Sequence, residues 1–257
     1  MSAPTVRVMT WNIHGAFGRN PRFDLAQVIK LIRRWHPDVV ALQEVDSRRC
    51  IDGAANPFEL LPAAVGVHGI GAKALTTKDG DYGQMLVSRW PITAREVRDI
   101  SFGEREPRRA IRAEVETPCG PLTVVATHLG LSIRERRDQA RALMQLAAGK
   151  GPAVIVGDFN DWFWPGSVRA VLSREFHART RFRTFPSFFP VLRLDRIYCR
   201  PRAALVRSYV DPAGKALSDH LPVIADIALP AGPHQGRATE LVTCSRSGDV
   251  KQMPTQR

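Results

Sequence analysis

Two stretches of this chain repeat one pattern. Residues 6–11 (VRVMTW) read as a buried strand, and residues 23–35 as an amphipathic helix. Residues 38–43 (DVVALQ) form a second apolar strand that runs straight into Glu44. Leu25, Val28, Ile29, Ile32 and Trp35 fall at helical spacing, Asp24 with Gln27 has the form of a capping box, and Pro37 ends the helix. The same order returns farther along. Residues 122–127 (LTVVAT) make a strand ending at His128, and residues 133–148 a helix opened by Ser132 and Glu135. Residues 153–157 (AVIVG) then make a strand running into Asp158. Strand, loop, helix, strand and carboxylate thus occur twice, roughly 115 residues apart, which is weak internal symmetry and not a short-period array. Strands mixed with two main helices predict an α/β protein with helices packed outside its sheets.

Four further strands are predicted at 85–88 (MLVS), 110–115, 194–199 (LDRIYC) and 223–228 (VIADIA). Gly and Pro are spread evenly, so no linker divides the chain. One domain is expected over residues 1–230, followed by a polar tail over 231–257. At 44% hydrophobic and 24% charged residues, composition excludes disorder, collagen and coiled coil for the bulk of the chain. No apolar run approaches the ~20 residues of a membrane-spanning helix. Residues 1–5 lack the basic and apolar regions of a secretory signal. Cys50, Cys119, Cys199 and Cys244 are scattered without a CxxC pair, as isolated thiols in a reducing compartment would be. A cytoplasmic location is expected, with peripheral attachment to the inner face of the membrane as its variant.

The net charge is +12, and arginine supplies 31 of the 37 basic residues. Such a balance implies an anionic partner: nucleic acid, an acidic lipid surface or a phosphorylated metabolite. It does not choose among them.

Asn12, Glu44, His128, Asp158, Asn160, Asp195, Asp219 and His220 share a context, since nearly every one sits at the end of an apolar strand. Clustered carboxylates need a cation or protons to offset their repulsion. Glu44 and Asp219 offer hard oxygens and Asn12 a neutral carbonyl oxygen, a donor set suited to Mg²⁺, with Mn²⁺ admitted by the nearby histidines. Asp158 and Asn160, two apart, are expected on one side of an extended chain. There the aspartate would orient or deprotonate a water and the asparagine amide would donate to a phosphoryl oxygen. Asp219 and His220 would supply one metal ligand and one phosphate-facing imidazole, with Asp195 as the buttress of that imidazole.

Trp11-Asn12-Ile13-His14, Gln43-Glu44-Val45, Thr127-His128-Leu129-Gly130, Gly157-Asp158-Phe159-Asn160-Asp161, Leu194-Asp195-Arg196-Ile197-Tyr198 and Ser218-Asp219-His220-Leu221-Pro222 occur in this order. Over residues 6–229 the chain thereby resembles the endonuclease/exonuclease/phosphatase superfamily, with its deoxyribonuclease I-like fold. The resemblance implies a four-layer sandwich of two packed mixed β-sheets flanked by helices. It also implies metal-dependent hydrolysis of a phosphoester. Carried over by motif, Asn12, Glu44 and Asp219 form the metal shell, Asp158 activates the water and Asn160 holds the phosphate. His220 with Asp195 stabilises phosphoryl charge or moves a proton, and His128 makes a second phosphate contact. The segments 127–131, 157–162 and 184–198 resemble more narrowly a bacterial subgroup sometimes encoded beside cardiolipin synthase, which tilts the expectation toward lipid headgroups.

Several residues stand at the margin. Phe185, Phe188 and Phe189 read as an apolar loop packed on the core, or else as a wall of the substrate cleft. Arg108 and Arg109 read as solvated charges or as a phosphate contact. Trp162 and Trp164 read as packing or as a substrate contact, His14 as a phosphate contact or a local loop bond, and Gln84 as a weak site candidate. Three functions compete: a phosphodiesterase or phosphatase acting on small or lipid-borne esters, a DNA or RNA nuclease, and a non-catalytic module for anionic surfaces. The third would be marked by loss of Asp158, Asn160 or His220, and all three are present. Within the second, a repair endonuclease of this fold would be expected to carry loops that grip a duplex, and no long basic insertion is evident.

Overall fold

A computed structural model describes residues 5–16, 24–48, 56–162 and 166–229. The predicted tail at 231–257, together with Trp164, Cys50 and Cys244, lies outside the described residues. In chain order the elements are β1 (Thr5–Asn12), α1 (Leu25–Trp35), β2 (Val39–Asp46), α2 (Pro57–Val65), β3 (His68–Thr77), β4 (Gly80–Ser88), β5 (Ile92–Asp99), β6 (Arg109–Thr117), β7 (Gly120–His128) and α3 (Ile133–Leu146). They continue with β8 (Ala153–Asp158), α4 (Ser167–Leu172), the two-residue β9 (Ala178–Arg179), β10 (Asp195–Arg200), β11 (Leu205–Val210) and β12 (Val223–Ala228).

Both repeats fold as read. Helix α1 begins where the Asp24 carboxylate accepts the Gln27 backbone N–H at 3.0 Å, and it ends at His36 in the left-handed region just before Pro37. At α3 the capping box of Ser132 and Glu135 is formed in both directions. Each helix returns its chain to a parallel strand: β1 pairs with β2 and β7 with β8, while all other ladders are antiparallel. Two six-stranded mixed sheets result, in the orders β11-β12-β1-β2-β4-β3 and β5-β6-β7-β8-β10-β9.

Alternation along the strands sorts side chains into layers. From β1, Val6 and Val8 point into the apolar seam between the sheets, where they join Ala41, Leu86, Ile111, Val124, Val156 and Ile197. Met9 and Trp11 point the other way, onto Val28 and Ile32 of α1. The second sheet repeats the scheme, with Val125 and Ile155 packed on Ala140 and Leu143 of α3 and on Val168 of α4. Each such aliphatic side chain, fully buried, contributes about 1.5–3 kcal/mol. The order is therefore helix, sheet, sheet, helix, a deoxyribonuclease I-like sandwich. Its two parallel pairs end at one edge of the stack.

Candidate active site

That edge collects the polar residues. Asn12 closes β1, His128 closes β7 and Asp158 closes β8. Antiparallel β10 starts there, with Asp195 opposite Asp158 in register. The loop carrying Asp219 and His220 enters β12 at the same edge, since Val223 lies opposite Thr10. Glu44 arrives by a β-bulge. Gln43 and Val45 pair with Gln84 and Gly83 while Glu44 is left over, at a positive φ of 55°, and is turned out of the ladder toward the edge.

A single oxygen, Oδ2 of Asp158, is the focus. The Asn12 Nδ2 amide donates to it at 3.1 Å, His128 Nε2 lies at 3.5 Å and His220 Nε2 at 3.7 Å. Asn12 Nδ2 also donates to Glu44 Oε1 at 2.8 Å, so one amide ties the two carboxylates together. His14 stands at the open side, with Nδ1 3.5 Å from Glu44 and 3.6 Å from Asp219. His220 is clamped from behind: Asp195 Oδ2 lies 2.8 Å from its Nδ1, and Phe185 packs against the ring at 4.8 Å between centroids. The Ser218 hydroxyl fastens the loop, donating to the Asn12 carbonyl at 2.7 Å and accepting from the His220 N–H at 3.1 Å.

Environment sets the protonation states. Arg108 Nη1 lies 3.3 Å from His128 Nδ1, and a guanidinium can only donate. His128 therefore carries its proton on Nε2, facing Asp158. Burial and the adjacent guanidinium push this imidazole down to about 3, so it is neutral. His220 is the opposite case. Burial favours its neutral form, but the carboxylates of Asp195 and Asp158 outweigh burial and raise its pKa. Burial raises Asp158, only partly offset by His220, as befits a base poised near neutrality. At Glu44 burial acts upward too, yet the bonds from His14 and Asn12 hold the carboxyl down at about 2.

The sequence expectations meet this geometry unevenly. All eight core candidates come together. Asp158 and Asn160 do so by a turn and not by extended alternation: Asn160 has a positive φ of 48°, and its backbone N–H donates to Asp158 Oδ1 at 3.0 Å. One hydrogen of the Asn160 amide is spent on the Leu129 carbonyl at 2.9 Å. Gln84 donates across the sandwich to the Arg109 carbonyl, and its side-chain oxygen has no partner among the described residues. Arg109 pairs with Asp99 at 2.6 Å, whereas Arg108 is buried against His128, so the basic pair divides in role. Trp162 packs on the Arg136 guanidinium at 4.8 Å. The aromatic loop also divides, with Phe185 on His220 and Phe188 and Phe189 exposed, which corrects the reading of that loop as core packing. Sequence reasoning missed the anchoring by Thr184, Ser187 and Ser218, whose only signal is hydroxyl residues beside the motif residues.

The donor set suits a hard divalent cation. The carboxylates of Glu44 and Asp158 both accept from the Asn12 amide nitrogen, and Glu44 and Asp219 present oxygens at the open mouth. The Asn12 side-chain carbonyl oxygen accepts the His14 N–H at 3.0 Å, which leaves it a second lone pair. Asp158, Asp195 and His220 also lie close enough to share an ion. The 2.8 Å contact of His220 Nδ1 with Asp195 Oδ2 uses one of these donor atoms from each residue, while Asp195 Oδ1 has no partner among the described residues.

Two packed six-stranded sheets with helices outside them define a deoxyribonuclease I-like sandwich. The chain belongs to the endonuclease/exonuclease/phosphatase family, whose model matches residues 9–220. Members of that family hydrolyse phosphoesters with a divalent metal ion, nucleases and phosphatases among them. In Escherichia coli (strain K12), uncharacterized protein YbhP is 32% identical over 252 residues, covering 87% of this chain and 96% of that protein. An endonuclease/exonuclease/phosphatase from Beutenbergia cavernae superposes with a TM-score of 0.71 at 25% identity, over 88% of this chain and 72% of that one. A functionally unknown conserved protein from Enterococcus faecalis V583 does so with a TM-score of 0.70 at 18% identity, over 88% and 100%, and speaks to the fold alone.

Proposed function

We propose that this protein is a Mg²⁺-dependent hydrolase of phosphodiester bonds, working by in-line attack of an activated water. The observation that carries the reading is the convergence of Asn12, His128 and His220 on one oxygen of Asp158. Glu44, Asp219 and Asn12 would hold the cation, Mg²⁺ or Mn²⁺. When bound, it neutralises charge on the phosphoryl and leaving oxygens. Asp158 takes the proton of the attacking water. His128, neutral with its hydrogen on Nε2, donates to a non-bridging oxygen, as does the second hydrogen of the Asn160 amide. His220, held protonated by Asp195, donates from Nε2 to the charge that develops on phosphorus oxygens or on the leaving group.

The test is hydrolysis of bis-p-nitrophenyl phosphate with Mg²⁺, Mn²⁺ or chelator, beside Asp158→Ala. Turnover that needs metal and falls by about 10²–10⁴-fold in the variant is the expected result, the range typical for loss of a placed proton acceptor. A nuclease is the second reading, favoured by the charge of +12, and supercoiled plasmid and single-stranded RNA in the same panel decide it. Nuclease binding would weaken steeply with salt.

A further inference from the structure

Beside His220 stands a loop tip that the hydrolysis does not use. Phe188 is 61% exposed, Phe189 69% and Val191 45%. Large apolar side chains left this open in one short segment mark a contact surface. The tip is pre-organised. Phe189 N donates to the Pro186 carbonyl at 3.0 Å, and Val191 N and Leu192 N both donate to the Phe185 carbonyl, at 3.0 and 2.8 Å. Its base is bonded to the catalytic loop, through Ser187 N to the Asp219 carbonyl at 2.6 Å and the Ser187 hydroxyl to the Ser218 carbonyl at 2.7 Å. The tip therefore holds a fixed place at the mouth of the site.

Along the segment that carries it, charge has one sign, although Asp219 of the neighbouring loop is acidic. Residues 176–194 contain four arginines and no Asp or Glu. Three of them, Arg181, Arg183 and Arg193, are exposed and make no ion pair or hydrogen bond among the described residues. A second feature of the same kind follows β7 at the same edge, where Leu131 and Ile133 are exposed next to exposed Arg134 and Arg137. Exposed apolar side chains ringed by unpaired cations suit an anionic bilayer: the apolar groups enter the headgroup and acyl boundary while the cations meet lipid phosphates. A single-stranded nucleic acid fits less well. It is held by aromatic faces on which bases stack, and Val191, Leu131 and Ile133 offer none.

We propose that the Phe188–Phe189 tip docks the mouth of this site on an anionic phospholipid bilayer. The consequence that the scissile ester is a lipid-borne phosphodiester rests on the hydrolase reading; the docking itself does not. Docking is therefore measured without turnover, by flotation of the full chain in chelator. The vesicles are of phosphatidylglycerol and phosphatidylcholine in equal parts, or of phosphatidylcholine alone. The expected result is partition onto the mixed vesicles only. Replacing both phenylalanines (Phe188→Ser with Phe189→Ser) lowers it by about tenfold or more. Arg181→Gln, Arg183→Gln and Arg193→Gln lower it by about fivefold each. These variants keep the wild-type melting temperature and the turnover of bis-p-nitrophenyl phosphate. As a gain of signal, Phe189→Trp is expected to show an indole quenched by brominated lipid in mixed vesicles. Equal partition of wild type and phenylalanine variant, no partition at all, or loss of oligonucleotide binding instead of vesicle binding in the variants would each overturn the docking. Absent turnover of the small diester by the wild type would sink the hydrolase reading and leave the docking standing.

Discussion

Asp158 Oδ2 and His220 Nε2 face each other at 3.7 Å, and what lies behind each decides its task. Behind His220 the fully buried carboxylate of Asp195 has its Oδ1 without a partner among the described residues, so the imidazolium is its main compensation. Asp195→Asn keeps the shape and removes that charge. It is expected to lower kcat by about 10²-fold or more with KM little changed, since the loss falls on transition-state charge. A KM effect alone would mean that Asp195 merely shapes the pocket. Arg108 plays the corresponding part for His128. Among the cysteines, burial pushes the Cys199 thiol up to about 12. Peptide mapping after iodoacetamide treatment of the native protein is expected to find Cys199 unmodified, and labelled only after denaturation.

Elements carry their own lesson about what a sequence discloses. The strands read correctly from the sequence, β1, β2, β4, β6, β7, β8, β10 and β12, are all interior to their sheets. Those missed, β3, β5, β9 and β11, are the four edges. An edge strand such as β5 (ITAREVRD) is open to solvent along most of its length, so no burial enforces alternation, and charges are kept there to block further pairing. Helix α2 was missed because Pro62 and an unbroken apolar run hide its period. The site was legible for a related reason: a polar residue at the end of a buried strand is costly unless paired, so it stands out. The bulge that turns Glu44, the turn that brings Asn160 back to Asp158 and the Arg108–His128 bond depend on neighbours distant in sequence and were not legible. Gly157 shows how tightly β8 sits beside β7: at φ +147°, a Cβ would lie 1.9 Å from the Thr127 carbonyl oxygen. Gly157→Ala is expected to cost more than about 1 kcal/mol and to lower the melting temperature measurably. Leu86→Ala, in the seam between the sheets, is expected to cost about 2–5 kcal/mol by chemical denaturation.

In the whole molecule the sandwich brings the two half-patterns edge to edge, so that one cluster takes Asn12 and Glu44 from the first and His128 and Asp158 from the second. No helix among the described residues is long and apolar enough to cross a membrane. On the proposed function, the positive charge of the chain and the carboxylates at one edge are complementary: the former would draw in an anionic substrate and the latter a divalent cation. Cation binding to the folded chain alone must stabilise it. At a Mg²⁺ concentration of about 100 times the dissociation constant, the gain is about 2.7 kcal/mol. Thermal melting is expected to rise with Mg²⁺ in the wild type and to respond weakly in Glu44→Gln. An equal rise in both would place the cation elsewhere.

Hydrolysis by a water that Asp158 activates is measured as turnover of bis-p-nitrophenyl phosphate with Mg²⁺ and Mn²⁺, wild type beside Asp158→Ala. Metal-dependent turnover is expected in the wild type, abolished by chelator and lowered by about 10²–10⁴-fold in the variant. Turnover indifferent to chelator, or equal in the two proteins, would contradict it.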